Sequence, residues 1–250
     1  MASVTGHVDD LTAVMADNII LHTNQVINTV REQTDRVILF YSTGKDSTAL
    51  VDLLAPHFKE VVCVFMYFVK DLEHINSYLN FTSAKYANVT ILQVPHWILT
   101  SILKEGLYCI PNPKVRLMDL SAVDENIRIK TGITHSFYGM KQSDGLNRRL
   151  MLKTYKQEAI NSKTNKVYPL SKWKNKDVLS YIRLNKLPCP ISYSSNKASQ
   201  GLGFNTDVFL YLRNNYPQDL QKILIAFPLS EQILFEHDYK ERRRFTEAKV

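Results

Sequence analysis

The residues whose types and spacing can do chemistry are concentrated at Ser42-Thr43-Gly44-Lys45-Asp46-Ser47-Thr48. Lys45 supplies a positive charge, and the hydroxyls of Ser42, Ser47 and Thr48 supply donors. The run lies between Val37-Ile38-Leu39-Phe40-Tyr41, which reads as a short buried strand, and a helix from about Ser47 carrying Leu50, Val51, Leu53 and Leu54. Strand, small polar turn and helix, in that order, gather the amides of the turn and of the helix's first residues at the strand's carboxyl end. That arrangement suits a phosphate. The spacing is not that of the usual P-loop, which has a longer Gly-to-Gly interval and ends in Gly-Lys-Ser/Thr; here Asp46 follows Lys45.

A second concentration runs from Thr134-His135-Ser136-Phe137-Tyr138 into Gly139-Met140-Lys141-Gln142-Ser143-Asp144-Gly145 and then Leu146-Asn147-Arg148-Arg149. It reads as a strand ending in a glycine-bearing loop with the cations Lys141, Arg148 and Arg149. A third stretch, Val167 to Ile182, is structural in character. Pro169 fixes its start, Trp173 is a large anchor, and Val178, Leu179 and Ile182 face inward from a helix. Asp177 near that helix's start serves its dipole.

These residues need a frame. Leu11 to Val30 has a helical period, with Asp9 or Asp10 as its cap. Val61 to Tyr67 is a continuous apolar run, as in a strand covered on both faces. A helix over Asp71 to Tyr86, a strand over Val89 to Val94 and a helix over His96 to Glu105 follow, then a proline-marked loop and a helix over Ser121 to Lys130 capped by Ser121. The alternation predicts an α/β fold, a doubly wound parallel sheet, with ligands beyond the strands' carboxyl ends. The expected organisation is an α/β domain over 1–190, including the N-terminal helix. An extension over 191–250 follows, with a polar loop at Ser194 to Gly203 over the site and helices on either side of Pro217.

Ser42 to Ser47 resembles the Ser-Gly-Gly-Lys-Asp-Ser motif of the PP-loop ATP pyrophosphatases, with Thr43 in place of the first glycine. A threonine there adds a Cβ and narrows the backbone choices. Gly139, Lys141, Asp144 and Arg148 or Arg149 are similar to a Gly-x-Arg-x-x-Glu-Ser loop and the arginine after it. That loop belongs to the phosphoadenosine phosphosulfate (PAPS) reductase branch, and here lysine replaces its arginine and aspartate its glutamate. Pro169, Leu170, Trp173, Asp177, Val178, Tyr181 and Ile182 resemble the branch's Pro-Leu-x-x-Trp-x-x-x-Asp-Val-x-x-Tyr-Ile segment.

The resemblance implies an adenine nucleotide, ATP, with its pyrophosphate end held by Ser42, Thr43, Gly44, Lys45, Asp46, Ser47 and Thr48. It implies further phosphate contacts at Gly139, Lys141 and one of Arg148 and Arg149. Tyr67 and Phe68, at the second strand's end, either border the base or pack in the core. Lys45 is implied to stabilise charge on a pyrophosphate leaving group. Asp46 either orients water on a magnesium ion, expected with ATP, or serves only as a helix-start residue. A reductase of this branch attacks the sulfonate with a cysteine in a Glu-Cys-Gly-x-His tail, but His237-Asp238-Tyr239-Lys240-Glu241-Arg242-Arg243-Arg244 holds none. What is left is attack on the α-phosphorus, giving an adenylylated acceptor and pyrophosphate. Sulfate, a flavin precursor, a carboxylate, or a base in DNA or RNA are the chemically open acceptors, which suits sulfur metabolism or nucleic-acid modification. The competing reading is a non-catalytic nucleotide- or nucleic-acid-binding module, which Thr43, Lys141 and the cysteine-free tail favour.

Composition bounds the rest. The chain has 250 residues and 45% hydrophobic content, enough for a sizeable core. No apolar run approaches the roughly 20 residues of a membrane helix, and the polar start has no signal-peptide pattern; cytoplasmic residence is the expectation. Cys63 lies in an apolar run, whereas Cys109 and Cys189 neighbour proline-marked loops and are expected to be exposed. No Cys-x-x-Cys pair is present, and three thiols do not make an all-cysteine cluster. The net charge is +7 and its cations gather between Lys141 and Lys176. That basic region fits a nucleic acid, another partner, the nucleotide's own phosphates, or a solvated face.

Overall fold

The computed structural model describes residues 5–188, 191 and 203–247. Cys189 and most of the polar 194–203 loop lie outside the described residues. In chain order the elements begin with α1 (Thr5–Arg31), β1 (Arg36–Phe40), α2 (Lys45–Leu54), β2 (Glu60–Tyr67), α3 (Glu73–Lys85), β3 (Val89–Pro95), α4 (Leu99–Glu105) and α5 (Leu120–Thr131). Then come β4 (Ser136–Phe137), a 3-10 turn (Gln142–Asp144), α6 (Leu146–Lys153), β5 (Ile160–Asn161), β6 (Lys166–Val167) and α7 (Asn175–Leu184). The last are α8 (Thr206–Asn215), α9 (Pro217–Ala226), a second 3-10 turn (Pro228–Glu231) and α10 (Gln232–Glu247).

The fold is α/β, built on a mostly parallel sheet of six strands in the order β3-β2-β1-β4-β6-β5. β1 runs parallel to both β2 and β4, β4 runs parallel to β6, and β5 closes the edge antiparallel to β6. Val37, Ile38, Leu39, Val61 and Cys63 have no solvent exposure, which is why β1 and β2 are unbroken apolar runs. From β1 the chain winds outward through β2 and β3, then returns to place β4 on β1's other side. The order therefore reverses between β1 and β4, and in such sheets ligands bind beyond the strand ends at that point.

Several boundaries differ from the sequence reading. α1 begins at Thr5, so Asp9 and Asp10 lie inside it. α2 begins at Lys45, not Ser47, because extended Gly44 already acts as the N-cap. The start of α5 is capped by Asp119, whose Oδ1 accepts from the Ala122 amide at 2.7 Å, and Ser121 sits within the helix. Cys109 is buried, its Sγ 3.7 Å from the Ile102 carbonyl. Asp177 caps α7 by accepting from the Lys174 amide at 2.7 Å. Pro217 opens α9 at the position where a missing N–H costs nothing.

By compactness the chain divides into two units. The first comprises Met1–Phe65, Ser83–Leu92 and Asn126–Cys189; the second comprises Met66–Thr82, Gln93–Glu125 and Pro190–Val250. In the second, Asp219 of α9 accepts from the Glu73 and His74 amides at 2.8 and 3.0 Å and meets His74 Nδ1 at 2.6 Å, tying α9 to the start of α3. No helix among the described residues is long and apolar enough to cross a membrane.

Candidate functional site

Where β1 ends, the backbone turns through Thr43 at φ 58 and reaches Gly44 at φ −79 and ψ 165. No side chain caps α2, so the amides of Lys45, Asp46 and Ser47 head a helix with no intrahelical acceptor. The helix dipole adds partial positive charge at the same place. The turn is shaped by its own hydroxyls: the Ser42 amide donates to Ser47 Oγ at 3.2 Å, and Ser47 Oγ donates to the Gly44 carbonyl at 3.0 Å. Ser42 and Ser47 thus hold the loop's form. Thr48 Oγ1 is buried one turn into the helix and has no hydrogen-bond partner among the described residues.

The loop after β4 closes on this turn. A Cβ at Gly139 would stand 3.0 Å from Asp46 Cβ and 3.4 Å from the Ser47 amide nitrogen, so only glycine lets the two backbones approach this closely. Two residues on, the Lys141 ammonium lies 2.7 Å from Asp46 Oδ1 and 3.0 Å from Asp144 Oδ1, with its side chain 1% exposed. Lys45 Nζ takes the other Asp46 oxygen at 2.8 Å. Asp144 also accepts from the Lys141 amide at 2.8 Å and from Arg148 at 3.2 Å. Burial raises the Asp144 carboxyl, but hydrogen bonds and charge from Lys141, with Arg148 behind it, outweigh this and hold it below its ordinary value. A chain of alternating charge therefore runs Arg148–Asp144–Lys141–Asp46–Lys45.

α2 is held in place from behind. Asp52 accepts from Lys85 at 2.9 Å, the Tyr86 hydroxyl at 2.5 Å and the Tyr181 hydroxyl at 2.8 Å. Burial raises the Asp52 carboxyl, and these three donors more than offset it. The two tyrosine hydroxyls are pushed up, first by burial and then by the carboxylate. Trp173 is buried and donates from Nε1 to Thr23 Oγ1 at 2.8 Å. Sequence reasoning did not find Asp52 and Thr23 as positioning residues. The only signal was a single carboxylate within the apolar period of α2.

Ser42 to Thr48, Gly139 and Lys141 therefore come together, and Arg148 joins through Asp144. Arg149 is exposed on α6. Tyr67 and Phe68 belong to the second unit. There the Tyr67 carbonyl accepts from the His96 amide at 2.8 Å. Phe68 stacks on His96 with centroids 4.6 Å apart and lines an apolar cavity with Phe204, Phe209, Ile223 and Phe227. The arrangement in the first unit can bind a polyvalent anion. Helix-start amides, an orphaned buried hydroxyl and two ammonium groups fit the phosphates of a nucleotide. Magnesium usually takes one or two carboxylates along with phosphates and water. Among the described residues Asp46 is the carboxylate beside the helix-start amides, and both its oxygens already meet ammonium groups. The residues thus fit magnesium as the nucleotide's own counter-ion rather than a dedicated cage.

The model of the phosphoadenosine phosphosulfate reductase domain matches residues 36–196. No curated protein sequence matches the chain. Among solved structures, the chain is similar to the U34-tRNA thiolase NcsA from Methanococcus maripaludis with its [4Fe-4S] cluster. The identity is 16%, the TM-score 0.42, and the match covers 87% of this chain and 80% of that one.

Proposed function

The chain belongs to the phosphoadenosine phosphosulfate reductase domain family of PP-loop, nucleotide-using enzymes, and on that footing we propose that it cleaves ATP at the α-phosphate and transfers the adenylyl group to an acceptor. The observation that carries this reading is the closure of the Gly139 loop on the start of α2, which brings the Lys141 ammonium to the Asp46 carboxylate that Lys45 also meets. Such a reaction asks for charge neutralisation and alignment rather than a covalent residue. The amides of Lys45 to Ser47 bind the β- and γ-phosphates. Lys45 and Lys141 leave Asp46 for the phosphate oxygens, and Lys45 stabilises the charge that develops on departing pyrophosphate. Magnesium bound to the ATP phosphates would supply further neutralisation of that charge, with Asp46 as the carboxylate beside it. Among the described residues the thiols do not suit attack on a substrate: Cys63 and Cys109 are both buried, and burial pushes the Cys63 thiol far up.

Pyrophosphate release from Mg·ATP, measured with sulfate, small carboxylates, flavin precursors, RNA and DNA as acceptors, tests the reading. Lys45→Ala is expected to abolish release with little change in melting temperature; an equally active variant sinks the assignment. One observation favours a second reading, a nucleotide-binding module without turnover: both Asp46 oxygens are held by lysines. ATP binding with no pyrophosphate from any acceptor would select it.

A further inference from the structure

Elsewhere in the first unit Arg36 pairs with Glu60, Lys59 with Asp35 and Lys85 with Asp52, while Lys130, Lys163, Arg183 and Lys186 are exposed without an ion pair among the described residues. Beside the candidate site the unpaired cations are gathered by one turn. Arg149, Lys153, Lys156, Lys174 and Lys176 are all exposed, and among the described residues no ion pair forms with any of them. The local carboxylates are already committed, Asp144 to Lys141 and Arg148, Glu158 to Lys172 at 3.0 Å.

The Gln142–Asp144 turn gathers the segments that carry these cations. It leads through Gly145 into α6, which bears Arg149 and Lys153. The Gln142 amide donates to the Ser171 carbonyl and Ser143 Oγ to the Trp173 carbonyl, each at 2.9 Å, which brings up the start of α7 with Lys174 and Lys176. Gln142 Nε2 donates to Glu158 at 2.9 Å, which brings up the loop of Lys156. The turn itself follows Lys141, whose ammonium rests on Asp46. The uncommitted charge therefore borders the side of the site that Lys141 enters from. On α6 only Leu152 is buried, while Leu146 and Leu150 are 66% and 57% exposed beside the basic residues.

A single nucleotide cannot use all of this. α6 alone is about 12 Å long at 1.5 Å per residue, and Lys45, Lys141 and the helix-start amides already serve one triphosphate. We propose that this face binds the sugar–phosphate backbone of a nucleic acid strand, with Leu146 and Leu150 against sugars or bases. The complement of such a strip is a chain of regularly spaced phosphates, which spread cations neutralise one by one. The proposal goes beyond the nucleotide reading and does not depend on turnover.

The test is fluorescence anisotropy of the whole protein with a labelled RNA hairpin and, separately, a labelled DNA duplex over a series of salt concentrations. Binding that falls steeply with salt is expected for at least one polymer, and the arm that binds says which. Lys153→Glu with Lys176→Glu is expected to weaken binding at least about tenfold and to flatten the log–log salt slope by about two. Lys59→Glu, at a paired cation, should change neither. If the double charge reversal melts early, Lys153→Gln with Lys176→Gln gives the same comparison on a milder change. Binding of neither polymer at low salt, wild-type affinity and slope in the double variant, or equal binding of poly-glutamate overturns the proposal. ATP binding measured on the same samples separates failure of this surface from failure of the nucleotide site.

Discussion

At Thr43 a β-branched residue sits in the left-handed region, with φ 58, and is 8% exposed. An L-residue there carries a strain of roughly 1–2 kcal/mol. Glycine would remove the strain but loses about 0.5–1 kcal/mol through extra freedom in the unfolded chain. Thr43→Gly is therefore expected to be neutral or to stabilise by up to ~1.5 kcal/mol, a rise in melting temperature of at most about 3–6 °C, with ATP affinity kept. Thermal unfolding with and without ATP measures both; a drop of several degrees would mean that the threonine side chain supplies packing the turn needs. The departure from glycine was visible in the sequence, but its backbone consequence was not. Likewise Lys45 and Asp46 could be read as neighbours, whereas the second lysine on Asp46, Lys141, 95 residues away, could not be read as its partner.

Between elements, the contact that matters is the one Gly139 permits. A methyl there would stand 3.0 Å from Asp46 Cβ and 3.3 Å from its carbonyl carbon, so the start of α2 or the loop after β4 must shift, at a typical overpacking cost of about 1–3 kcal/mol. Gly139→Ala is expected to lower ATP affinity roughly tenfold, about 1.4 kcal/mol, as calorimetric titration would read; unchanged affinity would remove the loop from the site. How far elements could be read depended on their length. β1 and β2 were legible because continuous apolar runs identify buried strands, and β3, with only Val89 buried, because of its Val, Thr and Ile residues. β4 was read as the strand that ends in the Gly139 loop, but β5 and β6 are two residues each, too short to show a period, so the sheet's far edge stayed hidden. The Val167–Ile182 stretch reads as structural, and Trp173 before α7 and Val178 and Ile182 on one face of it are buried.

Across the whole molecule, burial depresses the pKa of His22, His57, His74, His96 and His135, each from an ordinary 6.5. Such histidines resist protonation in the native chain, so the unfolded chain binds more protons once the pH drops past 6.5. Their contribution to stability is complete above that pH and is lost as the pH falls through each lowered value. Urea unfolding should therefore show less stability at mildly acidic pH than at neutral pH. His74, fully buried on Asp219, belongs to that response, and a pH-independent midpoint would contradict it.

The helix that precedes the family segment has a bearing on where the folding unit begins. The matched region starts at residue 36, yet Thr23 on α1 accepts from the Trp173 indole and donates to the Pro169 carbonyl at 3.1 Å. Val26, Ile27 and Val30 are among the side chains with no exposure at all. Shortening the chain to the family boundary would strip three core residues and leave a buried indole N–H and a carbonyl without their partner. The border drawn by kinship and the border drawn by cooperative folding are thus different residues, and the smallest self-sufficient version of this protein starts before Thr23.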